Sequence, residues 1–337
     1  MTRKLGLHFP KTVGYITKMA STGMNEQITR RIGVLPIGGF AMMSFAALTE
    51  PMRAANLLAG RELYRVIPVS GTGEPVRSSG SAVITPEARV GDELRLQYLF
   101  VVAGGDPLAF DDRGVMRWLG RMARAGTTLG GVSGGPVILA RAGLMAGRRM
   151  TVHWEHADAL AEISPHLLIE RSLFVIDRDR VTCAGGTAPM DLMHTLIAGH
   201  HGAPFARRVS DWFMHTEARP SAGPQRAGLV DRVGVTDAAI LDAVEAMEAR
   251  VAEPLTLSQL ASAAGISPRQ LNRLFNTRLG RSAMRYYRDL RLDKARNLLR
   301  NSPLSLTEIA LATGFASSSH FSRAYSARYG QPPSACR

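Results

Sequence analysis

Two segments near the carboxyl end repeat one pattern, and that pattern leaves little freedom in how they fold. The first runs from Thr256 to Phe275. Thr256 can cap a short helix whose apolar residues, Leu257, Leu260, Ala261 and Ala264, recur at helical spacing. Gly265 closes it, because the residue after a helix commonly takes positive φ. Ser267 then caps a second helix, and Pro268 stands at its first position, where a missing N–H costs nothing. Leu271, Leu274 and Phe275 are expected inside; Arg269, Asn272 and Arg273 are left on the outer face. Ser305 to Tyr325 repeats the order, with Ser305 and Glu308 at capping-box spacing, Gly314 at the turn and Ser317 as the second cap. Here Phe321, Ala324 and Tyr325 are read as inward, and Ser318, Ser319, Ser322 and Arg323 as outward. Each segment is a helix-turn-helix pattern, which can lay its second helix in a major groove of DNA. Between them, Ser282–Asn301 carries Met284, Tyr287, Leu290, Leu292, Ala295, Leu298 and Leu299 on one face, and is read as one long helix holding the two units together.

The turn Gly314-Phe-Ala-Ser317 and the closing run Tyr329-Gly-Gln-Pro-Pro333-Ser-Ala-Cys-Arg337 resemble the DNA-binding domain of the AraC/XylS family of transcription regulators. The resemblance implies double-stranded DNA and RNA polymerase as partners. It also implies that Arg269, Asn272, Arg273, Ser318, Ser319, Ser322 and Arg323 face DNA. Cys336 stands where the family usually has an aromatic residue, so the last turn is expected to be weak.

Composition agrees with this reading. The chain has 337 residues, enough for two domains, and 45% apolar content, enough for a buried core. Its net charge is +13, unevenly placed: from Gly265 to Arg300 ten Lys or Arg face two acids. Such a concentration suits phosphates. The two cysteines, Cys183 and Cys336, have neither metal-ligand spacing nor the look of a disulfide framework. No apolar run reaches the length of about eighteen residues needed to span a bilayer. We therefore expect a cytoplasmic protein with no membrane partner, no metal and no cofactor. Residues 1–30 read as a disordered tail, with Met24 as a candidate start.

Upstream, strand and helix patterns alternate. Arg31–Ile37, Tyr64–Val69, Leu96–Val102 and Thr127–Val132 are expected strands; Ser44–Leu58, Asp111–Ala125 and Val137–Ala142 are expected helices. Val76–Thr85 reads as a hairpin, Leu167–Ile176 with Arg180–Cys183 as a last strand pair, and His156–Ser164, Thr187–Gly199 and Ala203–His215 as helices. The alternation predicts an α/β fold, a parallel sheet covered on both faces like a flavodoxin sandwich. The domains are then 31–216, a Pro/Gly-rich linker 217–235, and an all-α domain 236–337 opening with helix Asp237–Ala252.

The strand–turn–helix Gly130-Gly-Val-Ser133-Gly-Gly-Pro136, with Ala103-Gly-Gly-Asp106, His153-Trp154 and Ala184-Gly-Gly-Thr187, resembles the nucleophile elbow of the PfpI, glutamine-amidotransferase-like fold. Joined to an AraC-type domain, that fold is the arrangement of the GlxA-like regulators. Catalytic members carry a cysteine at the elbow, where this chain has Ser133, and an acid in the first strand–helix loop, for which Phe40–Ser44 offers no counterpart. A serine there needs a general base, and His153 is the only candidate. The resemblance therefore implies a binding cleft with no catalytic residue: Ser133 and the amides of Gly134 and Gly135 holding a carboxylate, Gly105 and His153 lining it, and Trp154 facing a cationic or quaternary amine. Glu50 and Asn56 are placed near the same mouth. His200 and His201, adjacent on a helix, cannot converge on a metal.

The sequence thus predicts a DNA-binding activator, working as a homodimer and controlled by an amino-acid-like or quaternary-amine effector. A serine-dependent amidase with a DNA-binding appendage is the alternative; a general nucleoid binder does not need duplicated reading helices.

Overall fold

The computed structural model describes residues 29–336, so the tail reading for residues 1–28 lies outside the described residues, while Arg30 already begins a strand. The chain forms two compact units. Among the described residues, one holds 29–153 together with Leu167–Gly223; the other holds Trp154–His166 together with 224–336.

In the first unit, β1 (Arg30–Pro36), α1 (Met42–Ala59) and β2 (Tyr64–Ser70) lead to the two-residue strands β3 (Val76–Arg77) and β4 (Val83–Ile84), which form a hairpin, and to β5 (Ala88–Arg89). Then come β6 (Tyr98–Ala103), α2 (Arg113–Arg124), β7 (Thr128–Ser133), α3 (Gly135–Arg141) and β8 (Arg149–Thr151). The helix α4 (Trp154–Ile163) departs to the second unit. The chain returns through β9 (Leu168–Glu170), β10 (Phe174–Asp177), β11 (Arg180–Cys183), α5 (Ala188–His201) and α6 (Ala203–Trp212). Seven strands make one sheet in the order β10-β11-β7-β6-β1-β2-β5, parallel except for β10. This is the α/β sandwich expected.

Helices cover the sheet, so the inner strands read as continuous apolar runs rather than alternating ones. Ile32, Val34, Phe100, Val102 and Val132 pack with Leu48 and Met52 of α1 and Leu192, Met193, Leu196 and Ile197 of α5. The expected strand Leu167–Ile176 is broken in two, because β9 pairs with β8 in a separate small sheet while β10 joins the main one. Register brings the carboxyl ends of four strands to one edge: Pro36 lies beside Val102, Ala103 beside Ser133, and Val132 beside Cys183.

At the opposite edge, the first residues of β2 and β6 hold the end of α5. Tyr64 hydroxyl lies 2.9 Å from His200 Nδ1, and Tyr98 hydroxyl 3.3 Å from His200 Nε2. Asn56 also belongs at this edge rather than at the expected mouth: its amide bonds the Leu63 and Tyr64 N–H groups and the Tyr64 carbonyl. Glu50 pairs with Arg53 on the surface of α1. The unit's last stretch is pinned by the buried carboxylate of Asp191, which accepts bonds from His215 Nε2 (2.8 Å), Arg219 N (2.8 Å) and Arg219 Nη2 (2.6 Å).

The second unit holds α4, α7 (Leu229–Val233), α8 (Ala238–Ala249), α9 (Leu257–Ala263), α10 (Pro268–Leu279), α11 (Ala283–Asn301), α12 (Leu306–Ala312), α13 (Ser318–Tyr329) and a closing 3₁₀ turn, Pro333–Cys336. A short helix, α7, thus occupies part of the segment read as linker. The core of the first helix-turn-helix is Leu260, Ala261, Leu271 and Phe275 against Val244, Met247 and Tyr287. α11 is continuous, as expected. Met284, read as part of its apolar face, is instead 38% exposed, since Ala283 and Tyr287 supply the buried positions of that turn.

Candidate functional site

Both helix-turn-helix segments are built as their sequence dictates. Thr256, Ser267 and Ser305 each cap a helix through a reciprocal capping box, with Gln259, Gln270 and Glu308 as the partners. The turn glycines take the left-handed backbone, Gly265 at φ 68° and Gly314 at φ 72°. Phe275, Phe321 and Tyr325 are fully buried, which fixes the roll of α10 and α13. Arg269, Arg273, Ser319 and Arg323 are then exposed, and Ser318 and Ser322 half-buried.

Asn272 differs. Its Oδ1 accepts the N–H of Ala283 at 3.1 Å, so that atom holds α10 to the start of α11. The basic cluster also divides. Arg291 bonds the carbonyls of Thr313 (2.7 Å) and Gly314 (2.6 Å) and stacks over Phe315. Burial lowers its pKa, and it is a clamp on the second turn rather than a phosphate contact. Arg281 is held by Asp289. Arg269, Arg273, Arg278, Arg285, Arg288, Arg300 and Arg323 remain exposed. A groove beside α7 is lined by Val230, Asp231, Thr236, Asp237 and Arg278, none of them a sequence-predicted site residue.

In the first unit the elbow is present. Ser133 ends β7 with φ 60°, a left-handed backbone that costs a non-glycine residue about 1–2 kcal/mol. The chain reverses so tightly into α3 that a Cβ on Gly131 would lie 2.5 Å from Pro136 N, and one on Gly135 2.0 Å from the Val101 carbonyl oxygen. The Gly134 N–H, expected from the sequence to hold a ligand carboxylate, is already engaged within the fold. It donates to the Ala103 carbonyl at 3.1 Å and extends the β6–β7 ladder by one bond. Gly105, at φ 60°, sits in the loop after β6, whose Pro107 packs on Gly134. The His153 N–H reaches the Ser133 carbonyl at 3.4 Å.

Ser44 completes the cluster, a residue not foreseen as part of it. Its buried hydroxyl accepts the Gly186 N–H at 2.9 Å. A Cβ on Gly185 would meet Ser133 Cβ at 2.6 Å and Ser44 Oγ at 2.9 Å. Only glycine lets the strand β11 turn come this close. The signal was a serine in the first turn of the helix after β1, at the same sheet edge as the elbow.

Trp154, read as part of this cleft, belongs to the other unit, and the Arg226 guanidinium lies 4.7 Å from its ring centroid. Cys183, which lies beside Val132 on β11, one residue short of the elbow's level, is fully buried, which pushes its thiol up to about 12. It stays protonated and cannot serve as a thiolate nucleophile.

A parallel sheet with a strained elbow, joined to two capped helix-turn-helix segments with exposed arginines, defines a DNA-binding regulator with a second, α/β domain. Comparison agrees. The DJ-1/PfpI family matches residues 40–199, and a helix-turn-helix domain family matches residues 260–337. The HTH-type transcriptional regulator GlxA of Rhizobium meliloti is 44% identical over 95% of this chain and 98% of its own length. The HTH-type transcriptional regulator CdhR of Pseudomonas aeruginosa is 41% identical over 89% of each chain. A ThiJ/PfpI family protein from Pseudomonas syringae, 23% identical over 77% of this chain and 98% of its own, superposes with TM-score 0.52 and shares the fold. This chain belongs to the AraC-type helix-turn-helix transcriptional regulators that carry an N-terminal DJ-1/PfpI domain.

Proposed function

We propose that the chain is a cytoplasmic, dimeric transcription activator whose first unit binds a small effector without turning it over. The carrying observation is the elbow: Ser133 held at φ 60° against Ser44 and Gly185, at the carboxyl edge where parallel sheets bind ligands. Ser133, Gly105, Gly135 and His153 form the ligand set, with Ser44 added. With Gly134 committed to Ala103, serine hydroxyls carry the recognition of a carboxylate. An amino-acid-like or quaternary-amine effector fits this class. Arg269, Arg273, Ser318, Ser319, Ser322 and Arg323 read DNA, with RNA polymerase as the further partner.

A thermal-shift screen of the twenty L-amino acids and their N-methylated forms, up to trimethylglycine, tests the sensor reading. A compound that stabilises the wild type and loses at least about tenfold in affinity in Ser133→Ala supports it, since that loss corresponds to about 1.4 kcal/mol of hydrogen bonding. The strained Ser133 also suits a hydrolase nucleophile. Turnover of the bound compound, abolished in Ser133→Ala, would replace the sensor reading with the amidase one.

A further inference from the structure

The chain passes between its two units at three places, after His153, after His166 and after Gly223. The third is the segment read from sequence as a linker. The first two bracket α4, ten residues taken out of the α/β sequence and built into the DNA-binding unit. There α4 buries His156, Ala157, Ala159 and Leu160 and packs along α11, the helix that joins the two helix-turn-helix segments. Asp158 Oδ2 lies 3.5 Å from Lys294 Nζ on α11, both about a quarter exposed. The residue before α4 is His153, whose N–H is on the Ser133 carbonyl. From the strained elbow to the helix that spaces the reading heads there are thus one backbone hydrogen bond, one peptide link and one packed helix.

We propose that α4 is the transmission element of this protein: a displacement at Ser133 is passed through His153 to α4, and α4 sets the position of α11 and so of α10 and α13. The inference rests on the reading of the elbow as the effector site, but its test uses no effector. A coupling needs an element both sites bias. α4 is continuous in sequence with one site and docked on the scaffold of the other. The contact that can be switched cleanly is Asp158–Lys294, because reversing either charge sets like charges together and reversing both restores the pair.

The experiment is a double-mutant cycle on the full chain, read as affinity for a duplex enriched by the wild type from a random-sequence library. Gly185→Ala perturbs the elbow from within the first unit, since its methyl would meet Ser133 and Ser44 at under 3 Å. In the wild-type background it should change affinity by about fivefold, the lower end of ordinary allosteric couplings. In Asp158→Lys or Lys294→Asp the same change should have no further effect, and in the doubly reversed chain its effect should return. An equal effect of Gly185→Ala in all four backgrounds, or none in any, overturns the proposal.

Should Gly185→Ala fail to fold, the unaltered chain supplies the second measurement. A carbodiimide condenses a carboxylate and an amine into an amide, taking up the water itself. Lys294 is the only lysine among the described residues, the others being Lys4, Lys11 and Lys18. The Asp158–Lys294 crosslink is therefore identifiable by peptide mass, and reciprocity requires its yield to change when the duplex is bound. An unchanged yield overturns the transmission role. Failure of Ser133→Ala to alter effector affinity, with the cycle intact, would instead sink only the ligand reading.

Discussion

At Gly135 the first turn of α3 lies against β6 so closely that a methyl group would overlap the Val101 carbonyl oxygen at 2.0 Å. Backbone, not a flexible side chain, is in the way, so the whole elbow must move to admit it. Gly135→Ala should therefore destabilise the first unit by about 3 kcal/mol, the upper end for overpacking. The check is urea denaturation at constant slope; a midpoint within error of the wild type refutes the geometry. His200 carries a second prediction at this scale. Burial, then the charges of Arg30 and His201, lower its pKa to about 3 from 6.5. Between those values the unfolded chain takes up a proton that the folded chain refuses. Stability from this residue is complete above pH 6.5 and is lost as pH falls toward 3, at up to about 1.4 kcal/mol per pH unit. His200→Gln, which keeps polar groups for Tyr64 and Tyr98, should flatten the fall in unfolding free energy between pH 7 and 5. A slope as steep as the wild type's would show that His200 does not titrate this way.

Single elements vary in how much of their role the sequence carries. The two helix-turn-helix segments were legible almost residue by residue, because caps, turn glycines and buried aromatics are local signals: Ser267, Gly265 and Phe275 act as their neighbours dictate. Replacing Ser267 with Ala should cost α10 about 1 kcal/mol through the lost capping box. Amide exchange resolved along α10 measures it, and unchanged protection in the first turn would rule the cap out as a stabilising contact. The elbow was legible as a motif, from Gly131, Ser133 and Gly135. What escaped were partners distant in sequence. Ser44 reaches Gly186 across 142 residues, and nothing at either position announces the other. Asn272 was read as facing DNA, and Arg291 fell within the basic stretch read as suited to phosphates; a tertiary N–H engages the first and two tertiary carbonyls the second. Helix α4 has the pattern of any amphipathic helix, so its period gave no sign of which unit it would join. Trp154 was placed in the cleft by its neighbour His153, one residue before the chain leaves.

On the scale of the molecule bound to its target, the decisive element is α11. Its 19 residues span about 28 Å at 1.5 Å per residue, close to the roughly 34 Å that separates successive major-groove faces on one side of DNA. Asn272 ties α10 to its start and Arg291 ties the second turn to its middle, so the two reading helices are held by hydrogen bonds as well as by packing. A scaffold tied at both places cannot follow DNA that is rotated by half a turn. Inserting five base pairs, about half a helical turn, between the two contacted segments of the selected duplex should therefore lower affinity at least tenfold. Arg273→Ala and Arg323→Ala should each cost about 1–3 kcal/mol and relax preference at separate base pairs, one in each segment. With the half-turn insertion in place, one of the two substitutions should lose its effect, because only one head still reaches bases. If the chain binds the lengthened duplex as tightly as the original, or if both substitutions relax the same base pair, α11 does not set the spacing of the two heads.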